Sequence, residues 1–474
     1  VRPIGPDDLA WADAVFLSGM HVQRGRLHEL TREAHRMGKV VALGGPSVSA
    51  CPDWYPEVDL LHVGEIGDAT DALIERLDAD VGRPDRQIVF TTSERVPLDD
   101  LPMPAYAEID LRRYFIGSIQ FSSGCPFRCE FCDIPELYGR NPRLKSPARV
   151  LAELDAMMAA GPPSAVYFVD DNFIGNRKAA SDLVDHLLEW QEKNGHPLRF
   201  ACEATLDLAG CDDLLDKMRR ASFQTVFCGI ETPSPEALQA MKKTQNLRRP
   251  ILDAVAALNA HGMEVVSGII LGLDTDDVGT GDRLLEFIDR SGIPMLTINL
   301  LYALPRTPLH RRLEAEGRIV PDGDRLSNVD FRLPYDDVVA SWRRVITEAY
   351  RPEALFARFA RQSETTYRHR FRPARRTALR QIVSGLRLIG RLLWNVGVRA
   401  DYASAYRSVA RRLAAAGQVE EAIHVGLVGH HLIQFARECA RGDGEASFYS
   451  DRGRVAVPQT LRTEGEAATP AGPA

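Results

Sequence analysis

A chain of 474 residues exceeds one ordinary domain, and at roughly 150 residues per domain it accommodates about three. With 45% hydrophobic and 26% charged residues and a net charge of -7, it has the composition of a soluble globular protein with no overall pull toward nucleic acid. Eight cysteines, only three of them close together, exclude a disulfide framework and fit a reducing cytoplasm, and no stretch approaches the ~20 apolar residues of a membrane span.

Residues 13–80 read as α/β. Strand patterns at 14–18, 40–43 and 60–63 alternate with a helical pattern at 23–37, and the second and third strands run into Gly44-Gly45-Pro46 and Gly64-Glu65. Glycines directly after strands let a ligand approach the backbone at the carboxyl edge of a parallel sheet. His21, His28, His35 and His62 read as ordinary surface or satisfied histidines. Residues 82–116, with prolines at 97, 102 and 104, read as a linker.

From Ser118 onward strands and helices alternate, with strands at 119–121, 166–169, 198–202, 225–228, 265–271 and 296–301. These make a partial (βα)6 barrel, in which chemistry is expected at the carboxyl ends of the strands. The first strand delivers Cys125-Pro126-Phe127-Arg128-Cys129-Glu130-Phe131-Cys132. Three thiolates without a nearby fourth ligand suit a four-iron cluster that keeps one iron open, whereas a zinc knuckle wants a fourth ligand close by. Carboxylates fall at the same rim: Asp170-Asp171-Asn172 after the second strand, Glu203 after the third and Glu231 after the fourth. Glu203 and Glu231 are placed either to bond ribose hydroxyls or to form salt bridges, and Asp171 or Asn172 to cap a following helix.

The CxxxCxxC spacing, the aromatic before the last cysteine and the Asp-Asp-Asn-Phe-Ile-Gly-Asn element resemble the cobalamin-dependent radical S-adenosylmethionine (SAM) enzymes, most closely their hopanoid methylase branch. The resemblance implies that Cys125, Cys129 and Cys132 hold a [4Fe-4S] cluster whose open iron chelates SAM. It further implies that Phe131, Gly268 and Ile270 lie along the adenine, and that Asp170 and Asp171 face the SAM ammonium. In the Gly268-x-Ile270-x-Gly272 element the family's acid is replaced by Thr275, so that Asp274 or Asp276 would substitute. Ser18, Gly44 and Gly45 match the elements that line the nucleotide tail of cobalamin. The family's first strand, its first helix and its histidine-bearing cobalt loop have no counterpart, which predicts either a fragment of a longer protein or a degraded cobalamin site.

The expected architecture is therefore an incomplete Rossmann-like cobalamin half-domain (1–81), a linker (82–116), a radical SAM partial barrel (117–320), a helical domain (321–441) and a disordered tail (442–474). The expected activity is methylation of an unactivated carbon on a small-molecule or lipid-like acceptor, with flavodoxin or ferredoxin as electron donor and no nucleic acid partner. Alternatives are a radical SAM enzyme that rearranges or oxidises without cobalamin, and a non-catalytic cluster- or zinc-binding protein. Arginines at 368, 370, 372, 375, 376, 380, 387 and 391, beside an apolar series ending at Leu393-Trp394, fit either a helix packed on the barrel with its arginines in water or peripheral contact with an inner membrane face.

Overall fold

The computed structural model describes residues 4–114, 116–161, 163–320, 325–373 and 389–442. The centre of the basic segment, 374–388, and the tail from 443 lie outside the described residues.

The N-terminal unit is a four-stranded parallel sheet in the order β1 (Ala14–Ser18), β2 (Val40–Gly44), β3 (Leu60–Val63) and β4 (Ile88–Thr91). The first three strands lie where the apolar runs put them. The fourth falls inside the expected linker, pairing Leu60 with Ile88 through Val63 with Thr91. Its four residues, Ile88-Val89-Phe90-Thr91, are apolar and β-prone but sit in a charged, proline-containing stretch, and the β3 backbone supplies the pairing that completes the strand. The sheet buries one side chain set with Leu27, Leu30 and Tyr55, and the opposite set with Leu73 and Leu77.

A six-stranded parallel sheet follows, in spatial order β12-β11-β10-β9-β8-β5. Its members are β5 (Gly117–Ile119), β8 (Val166–Phe168), β9 (Phe200–Glu203), β10 (Phe223–Glu231), β11 (Glu264–Leu271) and β12 (Met295–Leu300). A short antiparallel pair, β6 (Ser122–Ser123) with β7 (Arg143–Leu144), closes the base of the cysteine loop between them. The helix Pro147–Ala160 is started by Ser146, whose hydroxyl accepts from the Arg149 amide at 3.3 Å. The helix Arg177–Asn194 is capped by Asn176 and ends at Gly195. The cap is thus neither Asp171 nor Asn172, and both are released for work in the loop before it. Phe168, Phe173, Phe200 and Phe223 pack ring against ring at 5.2–5.7 Å beneath that loop.

Six strands leave the barrel open, so β12 has an unpaired edge. The C-terminal helices cover it. Tyr335–Ala349 and Pro352–Thr365 are two helices broken where Pro352 starts the second, followed by Ala403–Ala415 and Val419–Arg441. The Trp342 indole donates to the Ile298 carbonyl at 2.8 Å, and the Tyr350 hydroxyl accepts from the Leu296 amide at 3.0 Å. Side chains thereby take the hydrogen bonds that a seventh strand would have made. At the other end of the sheet, Glu264 opens β11 fully buried, with the Tyr367 hydroxyl at 2.7 Å, His424 at 3.3 Å and Arg370 at 3.6 Å. Arg370 also pairs with Glu421 at 3.3 Å, and Arg372 with Glu421 at 2.9 Å. Two arginines of the expected membrane-facing set are therefore committed to binding helix to barrel.

The two sheets face each other by their carboxyl edges. Glu65, just after β3, receives Arg95 at 3.0 Å, Arg143 and the Ser123 hydroxyl at 3.2 Å, and Arg306 donates to the Ser49 carbonyl at 2.9 Å. Among the described residues no helix is long and apolar enough to cross a membrane.

Burial alone would raise the Glu264 carboxyl, but His424, Arg370 and Tyr367 hold it below the usual glutamate range. A depressed carboxyl contributes stability above its unfolded value of about 4.3, and that contribution is lost as pH falls through the folded value. We expect Glu264→Gln to cost about 3–5 kcal/mol at pH 7, because it leaves buried Arg370 short of a counter-charge. Urea unfolding between pH 7 and 3 checks this: the loss of stability on acidification should be shallower in the variant than in the parent.

Candidate active site

The site is built around the loop from Ser122 to Leu144. Its entry is braced by Asp170, which is buried and whose Oδ1 accepts from the amides of Phe121, at 3.0 Å, and Ser122. Asp171 Oδ2 accepts from the Gly124 amide at 2.7 Å, immediately before the first cysteine. Asn172 Oδ1 accepts from the Thr205 amide at 3.3 Å, tying the same turn to the next strand, and Phe173 plugs the aromatic core below. The Asp-Asp-Asn-Phe run is thus a brace for the cysteine loop, each side chain holding a different piece of backbone. Burial pushes the Asp170 carboxyl up to about 7 and the Asp171 carboxyl up to about 6.

The three cysteines are free thiols, with Cys129 buried and Cys125 and Cys132 partly so. Burial raises both Cys125 and Cys132, and the neighbouring loop cysteines add to that rise. Among the described residues no three His, Cys, Asp or Glu side chains are gathered around a point as a single metal ion requires.

Sequence reasoning missed two residues beside this loop. Lys243 is buried, with Nζ 2.8 Å from Glu231 and 5.4 Å from the centre of the Phe131 ring, and the charge of Cys129 and Cys132 favours its ammonium. Gln245 donates to the Cys129 sulfur at 3.3 Å. A lysine between a short helix and a glutamine carries no periodic signal, and only the fold brings it to the cysteines. Glu231 accordingly is bound in an ion pair and sits at a positive φ of 65°, past an irregularity in the β10–β11 register. Gly229 makes that pair possible, since a Cβ there would lie 2.4 Å from the Glu231 carboxylate and 2.9 Å from Lys243 Nζ.

Glu203 accepts from the Tyr167 hydroxyl at 3.2 Å on the inner face of the sheet, and burial raises its carboxyl. Gly268 on β11 stands beside Thr297 of β12 on that same inner face, which Ile270 shares two residues further on. Asp276 accepts from the amides of Gly272 at 2.8 Å and Leu273 at 3.0 Å, bracing the turn after β11, while Asp274 is held by Arg312 and Arg318.

Between the two sheets lies a cavity of about 430 Å³. Ser18, Gly45 and Gly64 line it from the N-terminal sheet, and Gln120, Val169 and Asp171 from the barrel. Gly44 is at the end of β2, one residue before the Gly45 that faces Ser18. Gly45 has a φ of 95°, and a Cβ on it would stand 2.6 Å from the Ser18 hydroxyl. His62 bonds to Thr70 at 2.8 Å, but it also lines this cavity, which the reading of it as an ordinary histidine did not anticipate.

The donor set fits a cluster and a zwitterionic ligand. Four buried polar atoms on the brace of the cysteine loop and on the segment that reaches Cys129 have no partner: Asp170 Oδ2, Asn172 Nδ2, Gln245 Oε1 and Asn246 Oδ1. Native interiors satisfy such atoms, so these four are available to a ligand. The cavity likewise joins the glycine-lined edge of a nucleotide-type sheet to the rim of the barrel, the edge at which parallel sheets bind their ligands. An open β/α barrel with a three-thiol loop at the carboxyl end of its first strand defines a radical SAM enzyme.

The sequence profile described as the Radical SAM superfamily matches residues 119–300, and one described as a domain of unknown function, DUF4070, matches 307–445. Over 459 residues, 96% of this chain and 87% of the relative, the sequence is 54% identical to the hopanoid C-2 methylase of Rhodopseudomonas palustris strain TIE-1. An uncharacterized methyltransferase of Synechocystis is 35% identical over 85% of this chain and 75% of its own length. The solved structure of OxsB, a cobalamin-dependent SAM radical enzyme with aqua-cobalamin and SAM bound, shares the fold with a TM-score of 0.57 at 15% identity, over 95% of this chain and 77% of that one. The chain belongs to the radical SAM superfamily, in the family of the hopanoid C-2 methylase.

We expect Cys125→Ala, Cys129→Ala and Cys132→Ala each to abolish the brown absorbance of anaerobically reconstituted protein. Cys51→Ala and Cys439→Ala, whose thiols are buried elsewhere, should leave it intact. Iron and sulfide content, measured beside the visible spectrum, decides between these outcomes.

Proposed function

We propose that the protein is a cobalamin-dependent methyltransferase acting on an unactivated carbon of a polycyclic, lipid-like acceptor of the hopanoid class. The observation that carries the reading is the inter-sheet cavity: the glycine-lined edge of one parallel sheet meets the rim beside the cysteine loop in a single space. When bound, the cluster supplies the electron that cleaves SAM, and cobalamin supplies the methyl group.

The chain's own residues hold and orient these groups. Cys125, Cys129 and Cys132 are the thiolate ligands. Asp170 Oδ2, buried and unpartnered, accepts the ammonium of the amino acid end of SAM, and Lys243, a buried cation beside Cys129, receives its carboxylate. Phe131, Gly268 and Ile270 flank the adenine; Glu203 is the carboxylate for ribose hydroxyls, since Glu231 is engaged by Lys243. Ser18, Gly44 and Gly45 line the nucleotide end of the cobalamin space. Exposed Leu393, Trp394 and Val398 support contact with the lipid phase that would deliver such an acceptor. A flavodoxin or ferredoxin is the electron donor.

The test is anaerobic reconstitution with SAM, a reductant, cobalamin and a polycyclic triterpene lacking the methyl. Formation of 5'-deoxyadenosine, S-adenosylhomocysteine and a lipid heavier by one methylene is the expected result. Deoxyadenosine without S-adenosylhomocysteine would replace methyl transfer by a rearrangement or oxidation. For Asp170→Asn the amide oxygen still accepts from Phe121 and Ser122, so the loop should fold; losing the buried charge should raise KM for SAM about tenfold or more, corresponding to the ~1.5–3 kcal/mol of a charged hydrogen bond. Steady-state kinetics with iron content held equal checks this, and an unchanged KM would remove Asp170 from the ligand set.

A further inference from the structure

The surface outside the cysteine loop carries a charge opposite to that of the whole chain, whose net charge is -7. Pro126 and Phe127, between the first two cysteines, are ringed by arginines. Arg140 donates to the Pro126 carbonyl at 3.2 Å, and the Arg248 guanidinium stands 5.9 Å from the Phe127 ring. The turn before Arg177 packs on the same spot, since a Cβ on Gly175 would lie 3.6 Å from Pro126. Arg128 is exposed and takes part in no ion pair or hydrogen bond among the described residues. Asp207, only 7% exposed, is shared by Arg177 and Arg248, which keep side chain exposures of 48% and 58%. The rim therefore presents surplus positive charge to solvent. None of these arginines lines the inter-sheet cavity, so a macromolecule on the rim would not occupy the substrate space.

We propose that Arg128, Arg140, Arg177 and Arg248 form the docking surface for a small acidic one-electron carrier protein. The inference rests on the radical SAM reading of the site and adds to it the face through which the electron enters. One electron leaves the carrier and enters the enzyme; the carrier is oxidised by one electron, the enzyme is reduced by one, and no bond or proton changes hands. Two physical requirements favour a carrier protein over any other polyanion here. Electron transfer demands close approach to the buried acceptor, and Pro126-Phe127 is the segment between two of its ligands that reaches the surface. Complementary charge also speeds encounter and fixes orientation without needing a large apolar interface, as a donor that must leave after each turnover requires.

The experiment measures binding of the cluster-loaded full chain to an acidic flavodoxin by calorimetry at low and at high salt. In parallel, dithionite drives SAM cleavage to 5'-deoxyadenosine. Binding should weaken steeply with salt, Arg128→Glu should weaken it about tenfold or more, and Arg248→Gln should do so to a smaller extent. Dithionite-driven cleavage should be unchanged in Arg248→Gln, because a small reductant needs no docking surface. Parent affinity in Arg128→Glu, flavodoxin binding indifferent to salt, or binding of anionic vesicles with none of flavodoxin would overturn the proposal. Failure of dithionite to produce 5'-deoxyadenosine in the parent would instead count against the radical SAM reading, and the binding series would still decide the surface.

Discussion

Glu65 joins two parallel sheets by their carboxyl edges. Its carboxylate takes Arg95 from the connecting segment, and Arg143 and Ser123 from the base of the cysteine loop. Half-exposed pairs of this kind contribute little stability one at a time, ~0–1 kcal/mol each. Their value is geometric, because three donors on three segments can meet one carboxylate in only one arrangement of the units. Everything the site does follows from that arrangement: the edge of the N-terminal sheet faces the rim of the barrel, and the cavity between them is shared.

A second constraint is the incomplete barrel. Closing a β/α barrel with eight strands leaves no edge, whereas six leave β12 unpaired and the lumen accessible from the side. The chain answers at β12 with side chains, placing Trp342 and Tyr350 on the free carbonyls and amide of Ile298 and Leu296. The buried Glu264 group then fastens the last helix under the barrel. The helical domain that looked like an appendage in sequence is thus part of the barrel's structure, and its strongest internal charges are spent on attachment.

At the cysteine loop, polar groups are divided between bracing and binding. Asp171, Asn172 and one oxygen of Asp170 hold backbone, and the aromatic core below them resists movement of the turn. What remains without partners is Asp170 Oδ2 and one amide atom each of Asn172, Gln245 and Asn246, the Gln245 amide being the one already bonded to Cys129. Lys243 adds a buried cation where deprotonated thiolates need one. A loop prepared in this way loses little conformational freedom when it is loaded, which is the physical content of preorganisation.

The chain's own pattern determined a great deal. Largely apolar runs located five of the six strands of the barrel, because a strand buried on both faces is written that way; the first, expected at 119–121, forms two residues earlier at Gly117–Ile119. The thiol spacing was legible for a similar reason, since ligands on one tight loop must be close in sequence. Other features were decided only by tertiary structure. Strand β4 forms because β3 offers it a partner, and the N-cap passes to Asn176 because Asp170 through Asn172 are called to the loop. Arg370 is turned inward by Glu264 and Glu421, residues 106 and 51 positions away along the chain. Lys243 reaches the cysteines from more than 100 positions beyond them, and Glu65 finds Arg143 at a separation of 78. Local pattern records what a segment must be, but the pairing of charges across such distances is set by which surfaces the packed core brings together.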